Sequence, residues 1–204
     1  MRQDKMKTIG LTGGVGAGKS TILDYMASHF DACILEADKI GHLVMEPGEP
    51  CYDKIVDLFG KDVIKNDKTI DRKRVSDVVF CNGEMLAALN GIIHPAVKEY
   101  ICRCLNEERR SGRQLAVVEA ALLLEDHYEV FCDEIWYVHT DEEIRIARLT
   151  ASRGYTREKA ISIIRSQASE EFFRAHADYV IENNGDLRKT HEQIEEGVRQ
   201  HEIL

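Results

Sequence analysis

The sequence predicts an α/β fold whose centre is a parallel five-stranded sheet covered by helices on both faces. Short apolar, β-prone segments alternate with longer helical patterns along the 204 residues, which is the pattern of parallel βα units. A glycine-rich segment lies between the first predicted strand and the first predicted helix. The composition is ordinary, with 44% hydrophobic and 31% charged residues. We therefore expect a single domain over residues 1–204.

Each element is predicted from its hydrophobic pattern. The predicted strands are Thr8–Thr12, Ala32–Leu35, Leu115–Val118, Glu134–His139 and Asp178–Ile181. Helical periodicity predicts a first helix from Lys19 to His29 and a long helix from about Glu84 to Arg110. Pro95 is expected to kink or divide that long helix. A C-terminal helix is predicted to place Leu187, Ile194 and Val198 on one face.

Composition and charge exclude several classes of protein. The net charge of -9 argues against a general nucleic-acid binder, which usually carries a basic excess. No apolar run approaches the roughly 20 residues that span a bilayer, and the charged N-terminus does not predict a signal peptide. The six cysteines form no C-x-x-C pair, which favours reduced thiols over a zinc or disulfide framework. We therefore expect a cytoplasmic protein without a nucleic-acid, membrane or obligate protein partner.

The segment Gly13–Ser20 matches the phosphate-loop pattern G-x-x-x-x-G-K-[ST]. Its glycines allow backbone angles that turn N–H groups toward phosphate oxygens, and the following helix adds its positive end. Lys19 is expected to reach the β- and γ-phosphates of ATP, and Ser20 to ligate Mg²⁺. The predicted nucleotide-binding residues of this segment are Gly13, Gly14, Val15, Gly16, Ala17, Gly18, Lys19, Ser20 and Thr21.

Several classes of protein share this loop, including kinases, GTPase switches and ATP-driven machines. The segment Asp57–Gly60 matches the D-x-x-G of GTPases but falls inside a predicted helix, and no N-K-x-D stands near the last strand. The chain is also short for a mechanochemical ATPase. A small-molecule kinase is therefore the favoured class.

Two carboxylates follow predicted strands, where ligands of doubly wound folds gather. Asp38 follows the second strand, and it could accept a proton from an attacking hydroxyl. It could equally be the cap or a first-turn acid of a helix beginning near Lys39. Glu119 ends the third strand, where it could hold Mg²⁺ directly or through water, or could be solvated.

Two further features have both a functional and a structural interpretation. His94 and Pro95 could line a pocket, whereas a packed or capping histidine is the commoner situation. The arginine-rich helical segment would suit a mobile lid over ATP, because arginine contacts phosphate bidentately. Interleaved acidic residues would instead make it a salt-bridged solvent face. The arginines are Arg145, Arg148, Arg153, Arg157 and Arg165.

From about Lys7 to Asp186 these motifs, taken in order, resemble the dephospho-coenzyme A kinase family. The phosphate loop alone is generic, but the ordered set is specific. The matching residues are the loop from Ile9 to Thr21, Asp38 for the second acid of D-A-D, His94-Pro95 with Val97 for H-P-x-V, Leu122–Glu125 for P-L-L-[FY]-E, Arg148-Leu149 with Arg153 for R-L-x-x-R, and Gln167, Ala177-Asp178, Val180-Ile181 and Asn183 for Q…A-D-x-V-I-x-N.

The resemblance implies ATP-dependent phosphorylation of the ribose 3′-hydroxyl of dephospho-coenzyme A, the last step of coenzyme A synthesis. It implies a three-layer P-loop core, a helical substrate-binding lobe over about residues 39–112, and a lid over about 141–176. The residue roles that it implies are catalytic for Lys19, Asp38 and Arg148; nucleotide-binding for Arg153 and Asn183 besides the loop; acceptor-binding for Asp38, His94, Pro95 and Leu123; and Mg²⁺-binding for Ser20 and Glu119, the latter directly or through water.

The chain also departs from the family pattern. The departures are Glu36 for the first Asp, Glu119 for the Asp before P-L-L, Ala121 for its Pro, Arg145 for a Gln three places before the first lid arginine, and Phe173 for a Lys. Three alternatives stay open at this point. They are a nucleoside or nucleotide kinase, a nucleotide-binding switch protein, and a family member that has lost activity.

Overall fold

The computed structural model describes residues 6–203, and within them it confirms the predicted fold class. Five strands form one parallel sheet in the order β2-β3-β1-β4-β5. The central strand β1 pairs with β3 on one side and with β4 on the other. The strands are β1 (Lys7–Thr12), β2 (Cys33–Glu36), β3 (Leu115–Glu119), β4 (Glu134–His139) and β5 (Tyr179–Glu182).

Helices connect the strands and flank the sheet. Those of the described residues are α1 (Lys19–Phe30), α2 (Ala37–Leu43), α3 (Tyr52–Phe59), α4 (Arg72–Phe80), α5 (Gly83–Ser111), α6 (Glu142–Arg153), α7 (Arg157–Arg165), α8 (Glu170–His176) and α9 (Leu187–Gln200). Short 3-10 turns occur at Lys61–Val63 and Glu129–Phe131. None of the helices within residues 6–203 combines the length and apolar character needed to cross a bilayer. The D-x-x-G segment lies at the end of α3, as the sequence predicts.

The chain divides into two compact units. The core unit takes in the chain up to Leu35 and from Leu105 onward, and the helical unit spans Glu36–Cys104. In the core unit every residue of β3 is buried, because helices cover a parallel sheet on both faces. Trp136 of β4 is fully buried in the same core.

The C-terminal helix α9 packs on this core with part of the face that the sequence predicts. Ile194 and Val198 are 0% and 5% exposed, whereas Leu187 is 50% exposed. Leu187 is the first residue of the helix, so its side chain lies beyond the packed turns. The three residues thus share one face of α9, as predicted, but only Ile194 and Val198 of that face are buried.

Pro95 does not divide the long helix, which was one of the two outcomes that the sequence predicts. The helix α5 continues through it from Gly83 to Ser111. A proline inside a helix costs about 3 kcal/mol, because one backbone hydrogen bond is lost. Buried residues at a spacing of four outweigh that cost, since Val97, Ile101 and Leu105 are each at most 2% exposed. Pro95 itself is exposed.

Candidate nucleotide-binding site

The phosphate loop follows β1 and depends on three glycines with positive φ. Gly13, Gly16 and Gly18 have φ of 151°, 78° and 90°, as the sequence predicts. At Gly18 a Cβ atom would lie 2.3 Å from Nδ2 of Asn183. A side chain at Gly18 would therefore be strained by the backbone and would also displace Asn183.

The N-terminus of α1 completes an anion-binding arrangement. Gly18 is the N-cap, no side chain caps the helix, and its first turn contains no acidic residue. The first N–H groups of a helix have no partner inside it, and they carry its partial positive charge. The loop and this helix end are thus suited to phosphate oxygens. Ser20 and Thr21 are exposed in this first turn.

Lys19 is held in place by one carbonyl and one carboxylate. Its Nζ donates to the Gly13 carbonyl oxygen at 2.8 Å and lies 3.4 Å from Oε1 of Glu119. Glu119 is the last residue of β3 and is in register with Leu11 of β1. Both charged side chains are at least 85% buried, so their interaction is screened less than at the surface. Glu119 is therefore an ion-pair partner of the loop lysine.

A buried polar network supports the loop at the Ala17 carbonyl oxygen. The Ala17 carbonyl oxygen accepts from Nδ2 of Asn183 at 2.7 Å, from Oγ1 of Thr140 at 3.0 Å and from Nη1 of Arg148 at 3.1 Å. Asn183 in turn accepts from Oγ1 of Thr190 at 3.1 Å, and it is only 2% exposed. The predicted nucleotide-binding residue Asn183 thus uses its side chain to support the loop.

Arg148 contacts the loop through backbone carbonyl oxygens. The sequence predicts it over the phosphates of a bound nucleotide, and in this structure its guanidinium lies against these carbonyls. Besides Ala17, it donates to the Asn183 carbonyl oxygen at 2.9 Å, and the Gly16 carbonyl oxygen is 3.4 Å away. Carbonyl oxygens attract a guanidinium because it has donors only. Arg148 therefore supports the backbone of the loop in this structure.

Arg153 differs from Arg148 in both spacing and surroundings. It stands five positions after Arg148, one more than R-L-x-x-R requires, and Ser152 holds the fifth place of that motif. Ser152 donates its hydroxyl to the Arg148 carbonyl oxygen at 2.7 Å. Arg153 is the last residue of α6 and is exposed. Within residues 6–203 its guanidinium has neither a hydrogen bond nor an ion pair.

Sequence reasoning missed the contacts of Arg145 with the loop. Nε of Arg145 donates to the Val15 carbonyl oxygen at 2.9 Å, and Nη2 donates to Oε1 of Gln167 at 2.6 Å. The same Gln167 oxygen accepts from the Val15 N–H at 3.0 Å. Burial lowers the pKa of the Arg145 guanidinium. The helical spacing signalled only that Arg145 and Arg148 share a face.

Leu123 is placed differently from the sequence prediction. It was expected to contact the acceptor, but it is 0% exposed. Its Cδ1 would lie 3.2 Å from a Cβ at Gly10 of β1. The neighbouring Leu122 is 51% exposed. Leu123 is therefore a core residue, because its side chain fills the space that Gly10 leaves.

The other predicted acceptor residues lie in the helical unit. Asp38 is exposed in the first turn of α2, and no described residue forms a hydrogen bond or ion pair with its side chain. Glu36 holds the N-cap position of α2 and pairs with Lys39 at 2.6 Å, so Asp38 is a first-turn acid and not the cap. His94 is half-buried in α5, next to the exposed Pro95.

The donors expected to hold Mg²⁺ are chemically suitable. Ser20 offers an exposed hydroxyl at the start of α1, and Glu119 offers a carboxylate beside Lys19. Magnesium prefers oxygen donors and keeps several water molecules, so two protein oxygens together with phosphates suffice. Residues 6–203 contain no cluster of three or more His, Cys, Asp or Glu side chains arranged for a metal. The set therefore fits a cation that arrives with a nucleotide.

Phe173, one of the departures from the family pattern, is a core residue. It is 3% exposed, and its ring stacks on that of Tyr137 at 5.1 Å. The next residue, Arg174, pairs with Glu170 at 2.7 Å and with Glu182 at 2.8 Å. Glu182 also accepts a short hydrogen bond from His139. A cation is therefore present beside Phe173, but it is engaged with α8 and β5.

Comparisons with known sequences agree with the motif order. The dephospho-CoA kinase family model matches residues 7–189. The dephospho-CoA kinase of Carboxydothermus hydrogenoformans is 39% identical over 186 residues, covering 91% of this chain and 90% of that protein. The corresponding enzyme of Corynebacterium glutamicum is 37% identical over 186 residues, covering 91% and 92%.

Solved structures share the fold over nearly the whole chain. TT1252 from Thermus thermophilus matches with a TM-score of 0.82 at 27% identity, covering 97% of this chain and 98% of that chain. Dephospho-CoA kinase from Campylobacter jejuni matches with a TM-score of 0.72 at 24% identity, covering 95% and 96%. Shikimate kinase from Acinetobacter baumannii matches with a TM-score of 0.59 at 14% identity, covering 98% and 97%. At these last two identities the likeness concerns the fold.

Proposed function

The chain belongs to the dephospho-CoA kinase family, and on that premise we propose that it transfers the γ-phosphoryl group of ATP to the ribose 3′-hydroxyl of dephospho-coenzyme A. The observation that carries this proposal is the family match over residues 7–189, which takes in both the phosphate loop and the helical unit. The loop geometry supports the nucleotide half of the reaction, since the glycine angles, Lys19 and the uncapped α1 all suit phosphate.

The reaction that we propose balances with groups of this chain and its two substrates. The 3′-oxygen forms a bond to the γ-phosphorus while the bond to the β,γ-bridging oxygen breaks and ADP leaves. The hydroxyl proton passes to the Asp38 carboxylate and then to solvent. Such a transfer needs mainly positioning and charge neutralisation.

Each group at the nucleotide end has a separate task in this scheme. Loop N–H groups and the α1 N-terminus bind the phosphates. Lys19 exchanges its contacts with Gly13 and Glu119 for phosphate oxygens, because a triphosphate carries more negative charge than one carboxylate. Ser20 and Glu119 would hold Mg²⁺, which shields phosphate charge when bound. Arg153, exposed and without a described partner, is the better of the two lid candidates to approach the nucleotide.

The remaining expectations belong to this proposal as well. His94 and Pro95 are assigned to acceptor binding by the family resemblance, whereas Leu123 is a core residue beside β1. A cytoplasmic location stays a prediction from the cysteine pattern. Neither nucleic acid nor an obligate protein partner enters the scheme.

A matched pair of acceptors tests the function. Purified protein is given Mg-ATP with dephospho-coenzyme A, with coenzyme A, or with a panel of nucleosides and nucleoside monophosphates, and the products are identified by mass. We expect transfer with dephospho-coenzyme A and none with coenzyme A, whose 3′-oxygen already bears a phosphate. Efficient transfer to a nucleoside or its monophosphate would favour the alternative kinase, and ATP binding without any transfer would favour an inactive member.

A further inference from the structure

Val15 is attached to the segment that follows β4 by three separate contacts. Its N–H donates to Oε1 of Gln167 at 3.0 Å, and its carbonyl oxygen accepts from Nε of Arg145 at 2.9 Å. Its side chain packs against the small apolar cluster formed by Ile146, Leu149, Ala160 and Ile164 of α6 and α7. Both polar groups of the Val15 backbone, and its side chain, are therefore engaged.

Arg145 also fills the space next to the neighbouring glycines. A Cβ at Gly14 would lie 2.2 Å from its Nη2, and a Cβ at Gly16 would lie 3.1 Å from its carbonyl oxygen. The guanidinium and Gln167 are linked directly at 2.6 Å. The residues around Val15 thus form a closed ring of three hydrogen bonds, which we call the Val15 clamp.

We propose that Arg145 and Gln167 are positioning residues, and that their clamp on Val15 orders the phosphate loop before ATP binds. This inference rests on the proposed function in taking ATP as the ligand of the loop. Four of the six residues from 13 to 18 are glycine, the residue type that loses the most conformational freedom on ordering. When the one bulky residue among them is already fixed, less of the entropic cost of ordering the loop has to be offset by ATP binding.

The clamp needs the shape of arginine as well as its charge. Two nitrogens of one planar group reach two different oxygens, those of Val15 and Gln167. A lysine ammonium is a single point charge without that fork. Two loop N–H groups already have partners, since the Val15 N–H donates to Gln167 and the Ala17 N–H donates to the Gly14 carbonyl oxygen at 3.1 Å. Phosphate oxygens would therefore be bound by other N–H groups of the loop. Arg145 and Gln167 therefore act on the ligand through the shape of the loop.

The test measures the affinity for ATP by calorimetry without any acceptor, together with hydrogen exchange of the Val15 amide by NMR without nucleotide. We expect Arg145→Ala, Arg145→Lys and Gln167→Leu each to weaken ATP binding about tenfold, the factor produced by 1.4 kcal/mol. In each variant the Val15 amide should be less protected, exchanging its hydrogen faster than in the wild type. Gln167→Glu keeps the acceptor oxygens and should keep that protection. The double variant Arg145→Ala/Gln167→Leu should lose little more affinity than either single variant.

A matched control comes from the same segment. Arg157 pairs with Glu143 at 2.6 Å and is exposed, so Arg157→Ala removes an arginine of this region without touching the loop, and it should bind ATP normally. Because these readouts need no acceptor, they separate the clamp from the choice of acceptor. If Arg145→Ala fails to fold, the ATP affinity and the Val15 amide exchange of Gln167→Leu test the proposal instead. Lost Val15 protection with unchanged ATP affinity would overturn the proposal, and so would equal losses in Arg157→Ala.

Discussion

The phosphate loop and the first turn of α2 both follow strands of the sheet, but they are held very differently. The loop is fixed from several sides by Lys19, Asn183, Arg148 and the Val15 clamp. Asp38, in contrast, is exposed, and its side chain makes no hydrogen bond or ion pair within residues 6–203. The nucleotide end is therefore ordered by the protein itself, whereas the proposed base depends on its substrates for its contacts.

This difference has a physical basis. Phosphoryl transfer depends chiefly on positioning and on neutralising phosphate charge, and a glycine-rich loop costs much entropy to order. Interactions that order the loop therefore act before the reaction begins. A carboxylate that accepts one proton needs only to be ionised and reachable, which an exposed first-turn position provides.

The largest effect is expected at Asp38. Asp38→Asn should keep ATP affinity and the thermal midpoint, and it should lower the transfer rate by roughly 10²–10⁴-fold, because an amide cannot accept the proton. The assay measures all three quantities on one preparation. Asp53→Asn is the matched control, since Asp53 is likewise a first-turn acid, in α3. Full activity of Asp38→Asn would assign Asp38 to helix stabilisation alone.

Lys19 should give the next largest effect. Lys19→Ala removes the cation proposed to neutralise the transferred group, and turnover should fall on the order of 100-fold or more. Steady-state kinetics and circular dichroism measure the rate and the fold. Lys189→Ala, an exposed lysine of α9, should leave both unchanged. A folded Lys19→Ala variant with normal turnover would contradict the assigned role.

Substitutions of Arg148 and Arg153 should change different properties, the first stability and ATP affinity and the second the transfer rate. Arg148→Ala removes a donor from the carbonyls of Ala17 and Asn183, so stability should fall by about 1–3 kcal/mol and ATP affinity should fall with it. Arg153→Ala should leave the thermal midpoint unchanged and lower the transfer rate about tenfold, because it removes a cation that we propose to approach the phosphates. Thermal unfolding and kinetics distinguish them. Identical behaviour of the two variants would show that their different surroundings have no consequence.

The smallest effect concerns acid stability at the end of β5. Burial alone would raise the pKa of Glu182, but hydrogen bonds from Arg174 and His139 outweigh it and hold that pKa below its ordinary value. The stabilisation is therefore present above about pH 4.3, the usual value for Glu, and is lost as the pH falls through the lowered pKa. Glu182→Gln should show a smaller drop in thermal midpoint on acidification than the wild type, and Glu107→Gln, an exposed control on α5, should not. Equal acid profiles for the wild type and Glu182→Gln would contradict this.

Local patterns predicted the sheet and the loop well. Strands such as Glu134–His139 are short apolar segments, and the glycine angles are required by the loop motif itself. The Val15 clamp could not be predicted in this way, because Gln167 stands 152 positions from Val15. Tertiary packing also keeps α5 continuous through Pro95, and it buries Leu123, which the family resemblance had assigned to acceptor binding. The side on which Arg148 meets the loop depends on where the chain places the Ala17 and Asn183 carbonyls.

The most direct test of the proposed function locates the phosphate that wild-type protein adds to its acceptor. Dephospho-coenzyme A is incubated with Mg-ATP, and the product is examined by phosphorus–proton correlation NMR. The account predicts a new phosphomonoester coupled to the ribose H3′, with one ADP formed for each phosphate transferred. A phosphate on the 2′-oxygen, or ATP binding of normal strength without transfer to this acceptor, would contradict it.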